Sequence, residues 1–149
     1  AMVAIVTAID IPISAAVPAL LGRIHQPRAL VIAFPACFAV GYLGLILVPT
    51  SVTWLLALLI GAGCGAFPMA LTLMALRART PSGTTALSAF SQSAGYLMAS
   101  IGPVGFGFLH DISGGWTVPL VALLCTLVLL LASGLVVARG WVIEDDLRR

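Results

Sequence analysis

The chain has 149 residues, of which 61% are hydrophobic and only 8% are charged, with a formal net charge of +2. A soluble domain carries about 25% charged residues, so this chain has too little polar surface to surround a water-soluble core. The few basic residues are scattered, which argues against a nucleic-acid partner. We predict an all-α integral membrane protein, because an open strand cannot satisfy its backbone in lipid.

A bilayer span needs about 20 apolar residues, and five runs of this kind follow one another along the chain. We predict transmembrane helices at about 2–21, 30–48, 54–76, 85–109 and 118–138. The segments between them are short and rich in turn residues, so neighbouring helices should be antiparallel. Proline lies within or at the edge of every helix, which favours a moving carrier over an inert anchor.

Arginine placement predicts the orientation of these helices. All seven basic residues are arginines, and they follow the first, third and fifth helices. Since positive charge marks the cytoplasmic side, we predict an outer N-terminus and a cytoplasmic C-terminus in a bacterial inner membrane. Trp54 and Trp116 would mark the outer interface and Trp141 the inner one.

The third helix contains Gly61 and Gly65, a G-x-x-x-G pair within GAGCGAFP. This spacing is typical of a face at which helix backbones pack closely. It does not predict a phosphate-binding loop, because no lysine follows it and it lies inside the bilayer.

The fourth helix is the one that carries polar groups. At 3.6 residues per turn, one ridge of this helix holds hydroxyl and amide side chains: Ser88, Gln92, Tyr96 and Ser100. Such a ridge is expected to face a watery cavity rather than lipid, so we predict a substrate path here. Small residues and a proline beside it predict packing and bending: Gly95, Ala99, Gly102 and Pro103.

A packing interpretation of the same helix stays open, because small-residue ridges occur wherever membrane helices pack. Gln92 and Tyr96 favour the cavity, since an amide buried without partners costs on the order of several kcal/mol in hydrocarbon.

Asp10 is the only acid inside the five runs. An acid at this depth predicts a functional role, such as a proton relay or a substrate contact. The alternative is that Asp10 lies near the outer helix end and contacts water. No arginine or lysine lies within the spans to pair with it.

No enzyme is predicted. The serines of the fourth helix lack the glycine-flanked turn of an intramembrane protease, and His110 lies at the membrane edge. The sequence contains no HExxH or CxxC motif, and Cys37, Cys64 and Cys125 lie far apart, so we expect no metal and no cofactor.

Two stretches, GAGCGAFPMALTLMALRART and ALSAFSQSAGYLMASIGPVGFGFLHDISGGWTVPL, resemble the C-terminal half of a major facilitator superfamily transporter. The resemblance is to the cyanate/2-nitroimidazole (CynX/NimT-like) branch, which has a similar FP-x-ALTL-x-x-LR-x-R helix, a Q-x-x-GY-x-x-A-x-x-GP helix and a G-W turn. It implies that the five runs correspond to helices 8–12 of a twelve-helix carrier and that the N-terminal half lies outside this chain.

The resulting expectation is a secondary active carrier that moves a small polar or anionic solute by alternating access, with protons as a coupling ion. Two alternatives remain: a non-transporting membrane module that packs against partners, and one half of a drug/metabolite-type carrier. The motifs of the resemblance argue against the second.

Overall fold

The computed structural model describes residues 2–24, 27–47, 52–76, 78 and 80–138. Over these ranges the chain forms six helices and the turns between them. The helices are α1 (Met2–Arg23), α2 (Arg28–Leu47), α3 (Thr53–Gly63), α4 (Ala66–Leu76), α5 (Pro81–Ser113) and α6 (Thr117–Val137). Because α3 and α4 together form one span, the described chain has five long helical segments, and the predicted all-α membrane fold is confirmed.

Some residues of the orientation argument lie outside the described ranges. They are Arg77, Arg79, Arg139, Trp141, Arg148 and Arg149. Of the arginines that predict the cytoplasmic side, only Arg23 and Arg28 lie within the described residues, at the end of α1 and the start of α2.

The third span differs from the single helix that the sequence predicts, because a tight turn at Cys64 and Gly65 separates α3 from α4. Pro68 has no N–H to donate to the carbonyl of Cys64. That carbonyl instead accepts from the N–H of Phe67 at 3.0 Å, and the N–H of Gly65 donates to Ala62 at 3.2 Å. These three-residue spacings tighten the backbone, so the span is broken halfway along its length.

The fourth span is longer than predicted, at Pro81–Ser113 rather than about 85–109. Thr80 caps its start by accepting from the N–H of Gly83 at 3.1 Å, and Pro81 fits the first helical position. At the other end Gly114 has a left-handed φ of 66°, and its N–H donates to the carbonyl of His110 at 2.9 Å. Among the described helices, four spans are long and apolar enough to cross a membrane by composition, and α5 is not one of them.

The bundle is held together mainly by α1, α2 and the α3–α4 pair, with α6 packed against α2. The buried core lies toward the end of the bundle that carries Arg23 and Arg28. Its members are Val17, Leu21, Val31, Phe34, Met69, Leu73 and Ala138. Most other large apolar side chains of the spans are exposed, as expected of helices surrounded by lipid rather than water.

Candidate functional site

Helix α5 lies at the edge of the bundle, where it makes its main contacts with α4 and α6. None of its 33 residues is buried. Its two ends approach the other helices, since residues 87–88, 91–92, 105–106 and 109–110 are half-buried, whereas every residue from 93 to 101 is exposed. The middle of the most polar helix therefore stands away from the rest of the described chain.

The predicted polar ridge divides into two parts in the structure. Ser88 and Gln92 are half-buried on the side of α5 that faces the bundle, while Tyr96 and Ser100 are exposed. Each step of four residues advances about 40° beyond a full helical turn, so the ridge winds away from the bundle by about 120° between Ser88 and Ser100. The first two residues can face a cavity in this bundle, and the last two face outward.

The four residues of the ridge also differ in whether their side chains have a hydrogen-bond partner. The hydroxyl of Ser100 donates to the carbonyl of Leu97 at 2.7 Å. Within the described part of the chain, the Gln92 amide and the Tyr96 hydroxyl have no hydrogen-bond partner. These two side chains thus hold free hydrogen-bonding capacity, which is expensive to leave unused in hydrocarbon.

The predicted packing residues fall into two classes. A Cβ atom added to Gly61 would lie 2.8 Å from the carbonyl oxygen of Val6, and one added to Gly65 would lie 2.6 Å from the Phe34 ring. A Cβ added to Gly95 or Gly102 would meet nothing within 4 Å. The first pair therefore lies at close helix contacts inside this bundle, whereas the second pair has open space beside it.

The two remaining members of that set, Ala99 and Pro103, are also exposed on α5. Any close packing by Gly95, Ala99, Gly102 and Pro103 would require a helix that is not among those described here.

Asp10 is half-buried on α1 and accepts a hydrogen bond from the hydroxyl of Ser14 at 2.8 Å. It shares a helix face with the buried Val17 and Leu21, because positions 10, 17 and 21 are seven and four residues apart, which is about two turns and one turn of the helix. This face packs against α3 and α4. The structure therefore places Asp10 at a different interface from the ridge of α5.

A cavity of about 230 Å³ lies between α2, α4, α5 and α6. Its walls are apolar apart from two hydroxyls, on Ser91 of α5 and Ser133 of α6. Ser133 donates to the carbonyls of Leu129 and Leu130 at 2.8 and 3.1 Å. Sequence periodicity did not indicate this cavity, because its lining is shared by four helices; only the position of Ser91 beside the polar ridge pointed toward it.

Nothing in the described ranges resembles a metal centre, since no three His, Cys, Asp or Glu side chains come together there. Over the same ranges the chain offers the hydrogen-bonding groups of α5 and the carboxyl group of Asp10 on α1.

Comparison with known proteins relates the chain to bacterial transporters. It is 34% identical over 136 residues to "Uncharacterized transporter YycB" of Bacillus subtilis (strain 168), covering 89% of this chain and 34% of that protein. It is 36% identical over 125 residues to the "2-nitroimidazole transporter" of Escherichia coli (strain K12), covering 83% and 31%. A "Putative anionic 4-hydroxy-benzoate permease" of Thauera aromatica is 37% identical over 81 residues, covering 54% of this chain and 49% of the permease.

The chain spans about a third of the length of the first two relatives. No protein-family model matches the chain, and no solved structure is significantly similar to it. The alignments with the first two relatives nevertheless extend over most of this chain. The predicted resemblance to the cyanate/2-nitroimidazole branch of the major facilitator superfamily is thereby confirmed, and the chain is a relative of bacterial membrane transporters.

Proposed function

We propose that this chain is the C-terminal portion of a secondary active carrier that moves a small polar or anionic solute across a bacterial inner membrane by alternating access. The observation that carries the proposal is the free middle of α5. Tyr96 is exposed in this middle and Gln92 is half-buried at its edge; both lie on a helix that is long enough to cross the membrane, and neither has a hydrogen-bond partner among the described residues. Polar groups at this depth are typical of a solute path.

The carrier needs a second bundle opposite α5. In transporters of this kind the site lies near the bilayer midplane, between two repeats that rock against each other. A partner bundle would cover the exposed stretch from Ser93 to Ile101 and complete the path. The shorter length of this chain relative to its relatives supports this view, and reading the coding DNA upstream of Ala1 in the same frame tests it.

The names of two relatives suggest probes for the solute. One is named for 2-nitroimidazole and another for anionic 4-hydroxybenzoate, both small molecules that combine a flat ring with polar groups. We propose a solute of this kind or the smaller cyanate, with protons as the coupling ion. Because the relatives are named as transporters, their names favour transport over an enzymatic reaction.

Uptake by the complete carrier tests the proposed site. Cells producing the carrier should accumulate radiolabelled 2-nitroimidazole, cyanate or 4-hydroxybenzoate faster than cells without it. The double variant Gln92→Ala, Tyr96→Phe should lose uptake while its amount in the membrane stays normal, because the changes remove hydrogen-bonding groups and add neither bulk nor charge. Ser93→Ala serves as the matched control, since Ser93 is an exposed neighbour on the same helix. Normal uptake by the double variant would overturn the site assignment.

Orientation is tested separately by thiol labelling. With Cys37, Cys64 and Cys125 replaced by serine, a cysteine placed at Ser113 should react with a membrane-impermeant maleimide added outside intact cells. A cysteine placed at Arg23 should react only after the membrane is opened. The reverse pattern would contradict an outer N-terminus.

The competing function is a membrane module that packs against partners without transporting. The exposed residues Gly95 and Ala99 would favour it if another protein covered them. Leucine substitutions at Ser88 and Ser100 separate the two functions. If the chain is a packing module, these variants should fold at least as stably as the unmodified chain. If it is part of a carrier, they should lose solute flux.

The other alternative, one half of a drug/metabolite-type carrier, would pair this chain with a second copy or a similar half. Crosslinking between identical chains in the membrane would favour it over a single longer carrier.

A further inference from the structure

The cavity of about 230 Å³ between α2, α4, α5 and α6 is a separate feature from the polar ridge of α5, because none of the four residues of that ridge lines it. Small side chains leave this space where the helices face one another: Ala66 and Ala70 on α4, Ser91 on α5, and Ser133 and Gly134 on α6. On its far side Gly134 packs directly on α2, since a Cβ atom added to this glycine would lie 2.9 Å from a methyl carbon of Val31. The space is therefore a consequence of residue size at these positions.

The walls of this cavity are apolar apart from two hydroxyl groups. Ser133 already donates its proton to carbonyls of its own helix, at 2.8 and 3.1 Å. The hydroxyl of Ser91 has no hydrogen-bond partner among the described residues. A buried water molecule usually makes about three hydrogen bonds, and one free hydroxyl does not supply them. We therefore expect the cavity to exclude water and to favour an apolar occupant.

The cavity opens on the side of α6. Of its lining residues only Leu130 and Ser133 are exposed, and the others are buried or half-buried. Leu129 and Val136, which lie near this opening along α6, are exposed apolar side chains of a helix without a charged residue. Such a surface on a membrane helix is typical of contact with lipid, so molecules dissolved in the bilayer can reach the cavity.

The dimensions of the cavity fit one substituted benzene ring. An apolar cavity of about 150 Å³ accommodates benzene, and this larger one has room for a substituent. Its lining extends from Ala66 to Met74 on α4, about 12 Å by helical rise, but only from Leu87 to Ser91 on α5, about 6 Å. A lipid acyl chain reaches across half of the hydrocarbon core, about 15 Å, and is longer than either wall. A compact ring therefore fills this space better than a chain.

The side chains of the walls match an aromatic hydroxyl compound. Thioether groups make favourable contacts with aromatic rings, and Met69 and Met74 both line the cavity. The free hydroxyl of Ser91 can donate to, or accept from, one polar substituent. An acyl chain would instead leave this hydroxyl unpaired in an apolar environment, which is unfavourable. A charged ligand is disfavoured, because the described residues that line the cavity include no charged side chain to pair with it.

We propose that this cavity binds a small neutral aromatic molecule of the phenol class, which enters from the bilayer and forms one hydrogen bond with Ser91. The ring lies among the apolar side chains of α2, α4 and α6, and the hydroxyl group of the ligand lies at α5. Binding adds contacts between α5 and the rest of the bundle where Leu87 and Ser91 approach it. The site is distinct from the proposed solute path at Gln92 and Tyr96.

Fluorine NMR of the full-length protein in lipid nanodiscs tests the site, with 4-fluorophenol and fluorobenzene as probes. Each probe should give a saturable signal distinct from that of probe dissolved in lipid, and 4-fluorophenol should bind more tightly. Ser91→Ala should weaken 4-fluorophenol binding about threefold to tenfold, as the loss of one hydrogen bond does, and leave fluorobenzene binding unchanged. Ser93→Ala is the matched control, since Ser93 is an exposed serine of the same helix, and it should bind both probes normally.

A second pair of variants fills the cavity. Ala70→Phe places a ring inside it and should abolish the saturable signal of both probes. Ala75→Phe makes the same change at an exposed position of the same helix and should bind both probes as the unmodified protein does. Thermal unfolding without probe checks that each variant is folded. Ser91→Ala adds no volume to the cavity walls, so it tests the site without overpacking.

Three outcomes overturn the inference. If Ser91→Ala binds 4-fluorophenol as tightly as the unmodified protein does, the ligand makes no hydrogen bond there and the phenol class is wrong. If saturable binding persists in folded Ala70→Phe, the probes bind elsewhere. If the unmodified protein gives no saturable signal, an acyl chain or another part of the protein fills the cavity. None of these measurements involves transport, so they are independent of whether the proposed function is correct.

Discussion

The imidazole ring of His110 stacks on the indole ring of Trp116, with 4.1 Å between the ring centroids and 21° between the ring planes. His110 lies in the last turn of α5, and Trp116 is the residue before α6. The Nδ1 atom of His110 is buried and has no hydrogen-bond partner in the described structure. The stacked pair therefore fixes the turn between α5 and α6 by ring contact rather than by a hydrogen bond from this nitrogen.

We expect Trp116→Ala to destabilise the protein at this turn. The lost ring stack should cost about 1 kcal/mol, the magnitude typical of an aromatic pair, in addition to the energy of the apolar area that is no longer buried. The measurement is the thermal unfolding midpoint of the complete carrier in detergent. Trp54→Ala is the matched control, since Trp54 is also a largely exposed tryptophan beside a membrane interface but takes part in no ring stack among the described residues. Equal effects of the two variants would show that the stack contributes nothing.

The left-handed Gly114 predicts a second effect at the same turn. A side chain at its φ of 66° costs roughly 1–2 kcal/mol because its Cβ approaches the next carbonyl. Gly114→Ala should therefore lower the unfolding midpoint, whereas Gly115→Ala should not, because Gly115 has an ordinary φ and open space around its Cβ position. A stable Gly114→Ala variant would mean that the α5–α6 turn readily adopts another shape.

Gly61 provides a test of close packing inside the bundle. Its Cβ position lies 2.8 Å from the Val6 carbonyl oxygen and 3.2 Å from the Ile9 Cβ atom, so a methyl group there must push two helix backbones apart. Gly61→Ala should cost roughly 1–3 kcal/mol, as overpacking usually does. Gly22→Ala is the control, because it meets nothing within 4 Å and should gain slightly in helix propensity. Chemical unfolding in mixed micelles compares the two.

The number and order of the long helical segments could be predicted from sequence, because four of them are strongly apolar runs and α5 is bounded by turn residues. Two features could not. The break at Cys64 depends on how Pro68 redirects the bonds of Phe67 and Cys64, and proline alone does not decide this, since Pro35 lies inside an unbroken α2. The length of α5 depends on capping by Thr80 and Gly114, which extends a helix beyond its apolar part.

The candidate site shows the same division. Periodicity placed Ser88, Gln92, Tyr96 and Ser100 on one ridge of α5, and in the structure only Ser88 and Gln92 are half-buried. Which part of the ridge faces the bundle depends on tertiary contacts at the two ends of the helix, and no local pattern records these. The Ser14–Asp10 bond joins residues four apart and could have been suggested from spacing, since such residues are neighbours on a helix.

The cap of α5 allows a local test of helix length. Thr80→Ala removes the acceptor for the Gly83 N–H and should destabilise the first turn by about 1 kcal/mol, as loss of an N-cap does. Hydrogen–deuterium exchange at residues 82–84 should become faster, while exchange in α6 stays unchanged. Thr80→Ser keeps an oxygen acceptor and should exchange nearly as slowly as the unmodified chain. Unchanged exchange in Thr80→Ala would mean that Pro81 alone starts the helix.

A substitution at Gly95 tests whether this face of α5 lines a solute path closed by an opposing bundle or faces lipid. It shares a face of α5 with Ser91 and Ala99, yet nothing lies within 4 Å of its Cβ position. Gly95→Leu should leave folding of this bundle intact and sharply reduce uptake of 2-nitroimidazole by the complete carrier, because the larger side chain would fill the space needed by the solute or the opposing bundle. Val104→Leu is the control, since Val104 is 75% exposed and lies on the opposite arc of α5. If both variants transport equally well, the Gly95 face contacts only lipid, and the solute path must lie on another face of α5 or on another helix.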